Sequence, residues 1–260
     1  MGLKVIVAGK GGVGKTTVAS LLSFFLSSRG RRVLALDTDS VPNLALSLGL
    51  PREVESKIVP IVKDESLIEE RTGARPGESW GLLFRLNPKV DDIVDRYGVR
   101  LSDNLSLLVV GSIDSAKQGC LCPAISLGKA LISHILMEER DVIIVDSEAG
   151  AEVFGRGLAE RFDHILCVTE PTQKSLEIAK RIVKMGRELG IREVTYIVNK
   201  FSGDESERLR ISEALDARHF FIPYDHSLIK AEIEGRSLRE LDESSPAIQA
   251  FRSAFEMIFG

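Results

Sequence analysis

The sequence predicts an α/β fold: a doubly wound domain with a mainly parallel sheet and helices on both faces. Short β-branched runs alternate with amphipathic stretches, the pattern of βαβ units. Several of those runs are apolar throughout, as strands covered by helices on both sides should be. The first run also leads directly into a glycine-rich turn ahead of an apolar helix. With 44% hydrophobic and 28% charged residues, the 260-residue chain has a globular composition, which excludes a disordered or fibrous class. One such sheet can absorb the whole length, so residues 1–260 are expected to form a single domain.

The elements follow in order. Residues 4–8 form the first expected strand and 16–28 the first helix, with the glycine-rich turn between them. A second strand is expected at 33–37. Residues 51–104 then break the rhythm with clustered Gly, Pro and charge, in Arg75-Pro-Gly-Glu-Ser-Trp-Gly81 and Asn87-Pro88. This stretch reads as an irregular insert between two core strands, either a surface excursion or a lid or partner contact. Strands resume at 105–110 and 142–146, separated by a helix at 124–137 with Pro123 at its first position. The rest reads as a strand at 164–169, a helix at 173–189, strands at 193–198 and 220–223, and a helix at 246–259.

Charge and sequence extremes narrow the function classes. Lys and Arg total 34 against 38 Asp and Glu, a net charge of −4, and the pI is near 5.7. A nucleic-acid binder usually advertises a basic stripe, so none is expected as a partner. No apolar run approaches the ~20 residues of a membrane span. The last helix carries only Arg252, opposed by Glu256, whereas membrane-surface helices are rich in Lys and Arg. No membrane partner is expected. The N-terminus has no secretory h-region, and Ile6 stands where myristoylation wants Ser or Thr. Three cysteines do not build a disulfide framework. The expected location is a reducing cytoplasm.

Gly9-Lys-Gly-Gly-Val-Gly-Lys-Thr16 fits G-x-x-x-x-G-K-[ST] between a strand and a helix. Glycines allow backbone N–H groups to curl around phosphates without Cβ clashes. Gly11, Gly12, Val13 and Gly14 would form that cradle, continued by Lys15, Thr16 and Thr17 at the positive end of the helix. Lys15 would neutralise the β- and γ-phosphates and the Thr16 hydroxyl would ligate Mg2+. ATP or ADP with Mg2+ is the expected cofactor.

Lys10, inside the loop, makes it resemble the deviant Walker A motif of the P-loop NTPase family that holds nitrogenase iron protein and the Min and Par ATPases. The resemblance implies a nucleotide-sandwiched homodimer in which Lys10 reaches the partner's phosphates, a cation delivered in trans. It also implies roles for two switches. In Asp37-Thr-Asp39-Ser-Val-Pro-Asn-Leu44, Asp39 would orient the attacking water and Asp37 would support the magnesium shell. In Asp146-Ser-Glu-Ala-Gly150, Asp146 would hold a magnesium-bound water and the Gly150 N–H would sense the γ-phosphate. Adenine would lie against Asn199 and Lys200 and against Pro223, Tyr224 and Asp225, segments that also read as plain turns.

Cys120 and Cys122, in Gly119-Cys-Leu-Cys-Pro123, lie at a helix N-terminus, where the dipole favours the metal-binding thiolate. One pair supplies two ligands and a closed thiolate site needs four. A two-fold dimer would supply the mirror pair. Together with the P-loop and Ala151-Glu-Val-Phe-Gly-Arg-Gly157, the pair resembles the CooC-type accessory ATPases that insert nickel into carbon monoxide dehydrogenase. That resemblance implies an ATP-hydrolysing metallochaperone carrying Ni2+ or Zn2+, with the carbon monoxide dehydrogenase apoenzyme as partner. Two alternatives stay open: an iron–sulfur electron donor similar to nitrogenase iron protein, and a Min- or Par-type positioning ATPase. Cys167, inside an apolar strand, reads as a buried small hydrophobe, and the four histidines show no ligand spacing.

Overall fold

A computed structural model describes residues 2–75, 85–86, 88–112, 122–134, 139–150 and 162–260. The chain opens with β1 (Leu3–Gly9), α1 (Lys15–Ser28) and β2 (Arg32–Asp37), followed by the short helices α2 (Leu44–Ser47) and α3 (Arg52–Glu55). Next come α4 (Glu65–Thr72), α5 (Ile93–Tyr97), β3 (Val99–Ser102), β4 (Leu105–Val109), α6 (Cys122–His134) and β5 (Asp141–Asp146). The remainder is β6 (His164–Thr169), α7 (Gln173–Glu188), β7 (Glu193–Phe201), α8 (Glu205–Ala214), β8 (Arg218–Pro223), α9 (His226–Glu234) and α10 (Pro246–Phe259).

These strands form one sheet in the order β3-β4-β2-β5-β1-β6-β7-β8. Every pairing is parallel except β3 with β4. Side chains alternate across the pleat, and the central strands are apolar on both faces. Val5 and Val7 of β1, with Val142 and Ile144 of β5, face α1 and α10, where Phe251 and Phe255 are buried. Ile6 and Ala8, with Ile143 and Val145, face α6 and α7 on the other side. Burying one such aromatic or branched side chain is worth about 1.5–3 kcal/mol, so two filled layers hold the sheet.

All seven expected strands and the four expected helices are present, with ends displaced by a few residues. β3 was not expected. It is short, half-exposed and at the sheet edge, so it lacks the apolar run that marks the buried strands. α8 and α9 were also missed. α8 is Glu-Ser-Glu-Arg-Leu-Arg-Ile-Ser-Glu-Ala, in which only Ile211 is buried, so its apolar periodicity is too sparse to read. The 51–104 stretch carries more regular structure than its composition suggests. Ile61, Leu67, Ile68, Val90 and Ile93 join the core against Leu127 and Leu131 of α6. Residues 76–84 and 87 within that stretch lie outside the described residues.

Candidate functional site

Parallel strands converge their C-terminal ends on one edge, and there the expected site residues meet. β1 ends at Gly9, where an added Cβ would stand 2.3 Å from the Val168 carbonyl oxygen of β6. Only glycine lets the two backbones approach so closely. Gly12 and Gly14 adopt left-handed φ of 79° and 99°, and Gly14 caps α1. The turn delivers Lys15 to the first position of α1. The Lys15 ammonium donates to the Lys10 carbonyl at 3.3 Å, and the residue as a whole is 8% exposed. Burial pushes its pKa down, against the pull of the Asp146, Asp39 and Glu148 carboxylates. The Lys10 side chain is half-buried.

The switch carboxylates stand around that lysine. Asp37, fully buried, accepts the Asp39 N–H on Oδ1 at 3.0 Å and the Leu44 N–H on Oδ2 at 3.0 Å. It thereby shapes the turn that presents Asp39. Burial raises Asp37 to about 6, although these N–H groups oppose the shift. Asp146 ends β5, and burial, reinforced by the Asp37 charge, pushes it up as well; the Thr16 hydroxyl and Lys15 counter this in part. The Asp146 Oδ1 is buried without a hydrogen-bond partner among the described residues. That orphaned oxygen, with the Thr16 hydroxyl beside it, suits Mg2+, which takes hard oxygen ligands from one or two side chains and the rest from phosphate and water.

The second switch folds back on the loop. The Ser147 hydroxyl donates to the Val7 carbonyl at 2.8 Å. The Gly150 N–H, expected to face a γ-phosphate, instead donates to the Gly9 carbonyl at 3.1 Å. That contact satisfies an amide whose burial unpaired would be costly. Residues 151–157 lie outside the described residues.

The expected adenine residues divide into two groups with other partners. Asn199 donates from Nδ2 to the Val13 carbonyl at 2.9 Å. Lys200 donates to the Gly12 carbonyl at 2.8 Å and pairs with Glu170 at 2.7 Å. Lys200 has a left-handed φ of 57°, where the register of β7 against β8 slips between Val198 and Phe201. Both side chains therefore brace the phosphate loop. Pro223 ends β8, and the Tyr224 N–H donates to the Phe201 carbonyl at 2.9 Å while its ring stays exposed. Asp225 caps α9, accepting the Ser227 N–H at 2.8 Å, and it also accepts the Ser245 hydroxyl at 2.6 Å. Burial opposes this, but these donors outweigh it and hold the carboxyl at about 2. Thr17 donates to Glu232 of α9 at 2.9 Å, tying the loop helix to α9.

Cys120 lies outside the described residues, and Cys122 is the first residue of α6. No group of three or more His, Cys, Asp or Glu side chains with metal-ligand geometry occurs among the described residues. Cys167 is fully buried and burial pushes its thiol pKa up, away from the ligating thiolate. His164 bonds Thr195 at 3.0 Å through Nε2, and burial lowers it to about 4. Three contributors escaped the sequence reading: Glu148, Glu170 and Glu232. Glu148 lies inside the second switch, yet a carboxylate in a loop carries no spacing signal; the other two sit at sequence distances that only the fold closes.

Comparison with known proteins identifies the family and the fold. The CobQ/CobB/MinD/ParA nucleotide binding domain model, CbiA, matches residues 4–238. The chain is 43% identical over 239 residues to an uncharacterised ATP-binding protein of Methanocaldococcus jannaschii, covering 91% of each. It is 39% identical over 250 residues to the carbon monoxide dehydrogenase accessory protein CooC of Rhodospirillum rubrum, covering 94% of this chain and 91% of that one. Among solved structures, the septum site-determining protein MinD with Mg-ADP from Pyrococcus horikoshii aligns over 100% of this chain and 96% of its own. The TM-score is 0.71 at 21% identity, a likeness of fold.

Proposed function

Because the chain belongs to the CobQ/CobB/MinD/ParA family of nucleotide-binding domains and is of the CooC type within it, we propose that it is an ATP-driven nickel metallochaperone. It is an ATPase and binds its nucleotide through the P-loop fold of MinD and ParA proteins. The observation that carries the finer reading is the conjunction of that fold with the Cys120-Leu-Cys122 motif, whose second cysteine opens α6. The likeness to CooC over nearly the whole chain supports the same assignment.

In this reading Lys15 and the loop N–H groups hold the triphosphate, and the buried lysine is the main counter-charge. Asp39 orients the attacking water, and Lys10, half-buried on the rim, serves a second copy of the chain. Bound Mg2+, held by Thr16 and Asp146, would neutralise the phosphate oxygens. For the Gly150 N–H to meet a γ-phosphate it must leave the Gly9 carbonyl, which gives the second switch two positions. Asn199 and Lys200 act on the loop from behind, so adenine would be held by their backbone and by the Pro223–Tyr224 turn. The cargo is Ni2+ or Zn2+, bound by Cys120 and Cys122 of both chains of a homodimer and delivered to the carbon monoxide dehydrogenase apoenzyme in the cytoplasm. The 260 residues work as one domain.

The test is metal-to-protein ratio beside light-scattering mass, under reducing conditions, with and without nucleotide. One divalent ion per two chains is expected, with metal promoting dimers by mass action. Changing both Cys120 and Cys122 to Ala should abolish this, while Cys167→Ala should leave the ratio untouched. A full ion per monomer, or metal-driven dimers in the double variant, would sink the shared site. A brown, visibly absorbing protein from anaerobic purification would favour the iron–sulfur reading instead.

A further inference from the structure

The two halves of the phosphate loop are held by different side chains. Asn199 takes the Val13 carbonyl, next to Gly14 and Lys15, whereas Lys200 takes the Gly12 carbonyl at 2.8 Å, on the half that carries Lys10. Ahead of Gly12, the Lys15 ammonium donates to the Lys10 carbonyl at 3.3 Å and the Gly150 N–H donates to the Gly9 carbonyl at 3.1 Å. Both of those donors are groups that a bound triphosphate would claim. The Gly12 turn itself is open: among the described residues, no atom lies within 4 Å of where a Cβ would stand. Lys200 is in turn fixed by Glu170, whose Oε1 lies 2.7 Å from the ammonium. Glu170 directly follows β6, and its N–H donates to the buried Ser175 hydroxyl of α7 at 3.0 Å.

We propose that Glu170 is a positioning residue: by neutralising Lys200 it keeps that ammonium on the Gly12 carbonyl, so that the turn carrying Lys10 stays anchored after a triphosphate has drawn off Lys15 and Gly150. An uncompensated ammonium this close to the loop would be pulled toward the phosphates. Paired with a carboxylate, it has little net charge to offer them, and a proton remains for the backbone carbonyl. Lys10 has to reach the phosphates of a second chain, and a group acting across an interface depends on placement that a loose turn would lose. The anchor therefore serves turnover, while the half of the loop that binds phosphate is held by Asn199. This role rests on the reading of Lys10 as a lysine acting in trans.

Steady-state hydrolysis, beside calorimetry with ATPγS and Mg2+, tests this in the full-length chain. Glu170→Gln leaves Lys200 charged and unpaired. Its kcat should fall about tenfold, the worth of a charged hydrogen bond, with KM and ATPγS affinity unchanged or tighter. Lys200→Met removes the anchor and the cation together. It should lower kcat similarly and hold ATPγS affinity within about threefold, because the anchor acts in the transition state rather than in the ground state. A residue that merely supported the loop would lose binding along with turnover. In a Lys10→Ala background either variant should cost no further turnover, since the anchor acts through Lys10. Parent-like kcat in Glu170→Gln overturns the proposal. So does ATPγS affinity lost in step with kcat, or a full additional loss in the Lys10→Ala background. Lys10→Ala alone separates the two readings. If it turns over like the parent, the lysine in trans is refuted and the anchor with it; if it is impaired beside a parent-like Glu170→Gln, the anchor alone is refuted.

Discussion

Asp37 and Asp146 are cross-strand partners in the parallel pairing of β2 with β5, and both are sealed from solvent at the C-terminal ends of those strands. Burial lifts both carboxyls, and the Asp37 charge adds to the shift at Asp146, where the Lys15 ammonium is the nearby cation that offsets it. The site therefore stores an unfavourable charge arrangement that cations relieve.

This pair sets a pH dependence with a definite sign. Burial lifts both carboxyls above the ordinary 3.8, Asp37 to about 6 and Asp146 higher. The native chain then keeps protons that the unfolded chain has released, so the pair's cost appears as pH rises from the ordinary carboxylate value through 6 and above. Asp146→Asn should stabilise the protein without nucleotide relative to the parent by roughly 1–3 kcal/mol at about pH 8, and by little at about pH 4. Urea unfolding at the two pH values measures this. An equal effect at both would contradict the burial cost.

Lys15→Ala should weaken ATP binding about 10- to 100-fold, the worth of a charged hydrogen bond made in a dry site. Calorimetry with ATP and Mg2+ reads the change. Affinity equal to the parent's would remove Lys15 from the phosphate site.

Binding and turnover should separate at Asp39 and Lys10. Asp39→Ala should keep ATP affinity within about threefold while losing most hydrolysis, because placing the water matters in the transition state rather than in the ground state. Lys10→Ala should lower turnover and also weaken ATP-dependent dimerisation, read by light scattering. Parent-like turnover in either variant refutes that residue's role.

Asp225 offers a contrast between a cap and a ligand. Its oxygens are engaged by Ser227 and Ser245, so Asp225→Ala should cost about 1–2 kcal/mol of stability by urea unfolding. The carboxyl is held at about 2, so its contribution is present above the ordinary carboxylate value and fades as pH falls toward that figure. Asp225→Asn should retain most of it. A large loss of ATP affinity with unchanged stability would assign Asp225 to the adenine site rather than to the cap.

Much of the molecule was legible in the chain alone. The β-branched runs at Val5 to Val7, Ile143 to Val145 and Ile165 to Val168 announced strands buried on both faces, because only such strands are apolar at successive residues. The spacing of Gly9, Gly14, Lys15 and Thr16 announced a phosphate cradle, since its chemistry depends on backbone shape and one cation within a few consecutive residues. Edge strand β3 and helix α8 were illegible for the converse reason: half-exposed elements need few apolar residues.

The sequence by itself determined which local segments could hold phosphate, because contacts between near neighbours are written in spacing. Only the tertiary structure decided what those segments do to one another. Lys200 is expected at the base site, and a left-handed bulge in β7 also turns it onto Gly12 and Glu170. Glu148 meets Ser40 and Ser112, and Thr17 meets Glu232, across distances in sequence that no spacing rule encodes. Such pairings follow from the strand order, which places the ends of β2, β5 and β1 side by side. Long-range packing of apolar faces sets that order, and the polar side chains at the strand ends are carried along with it.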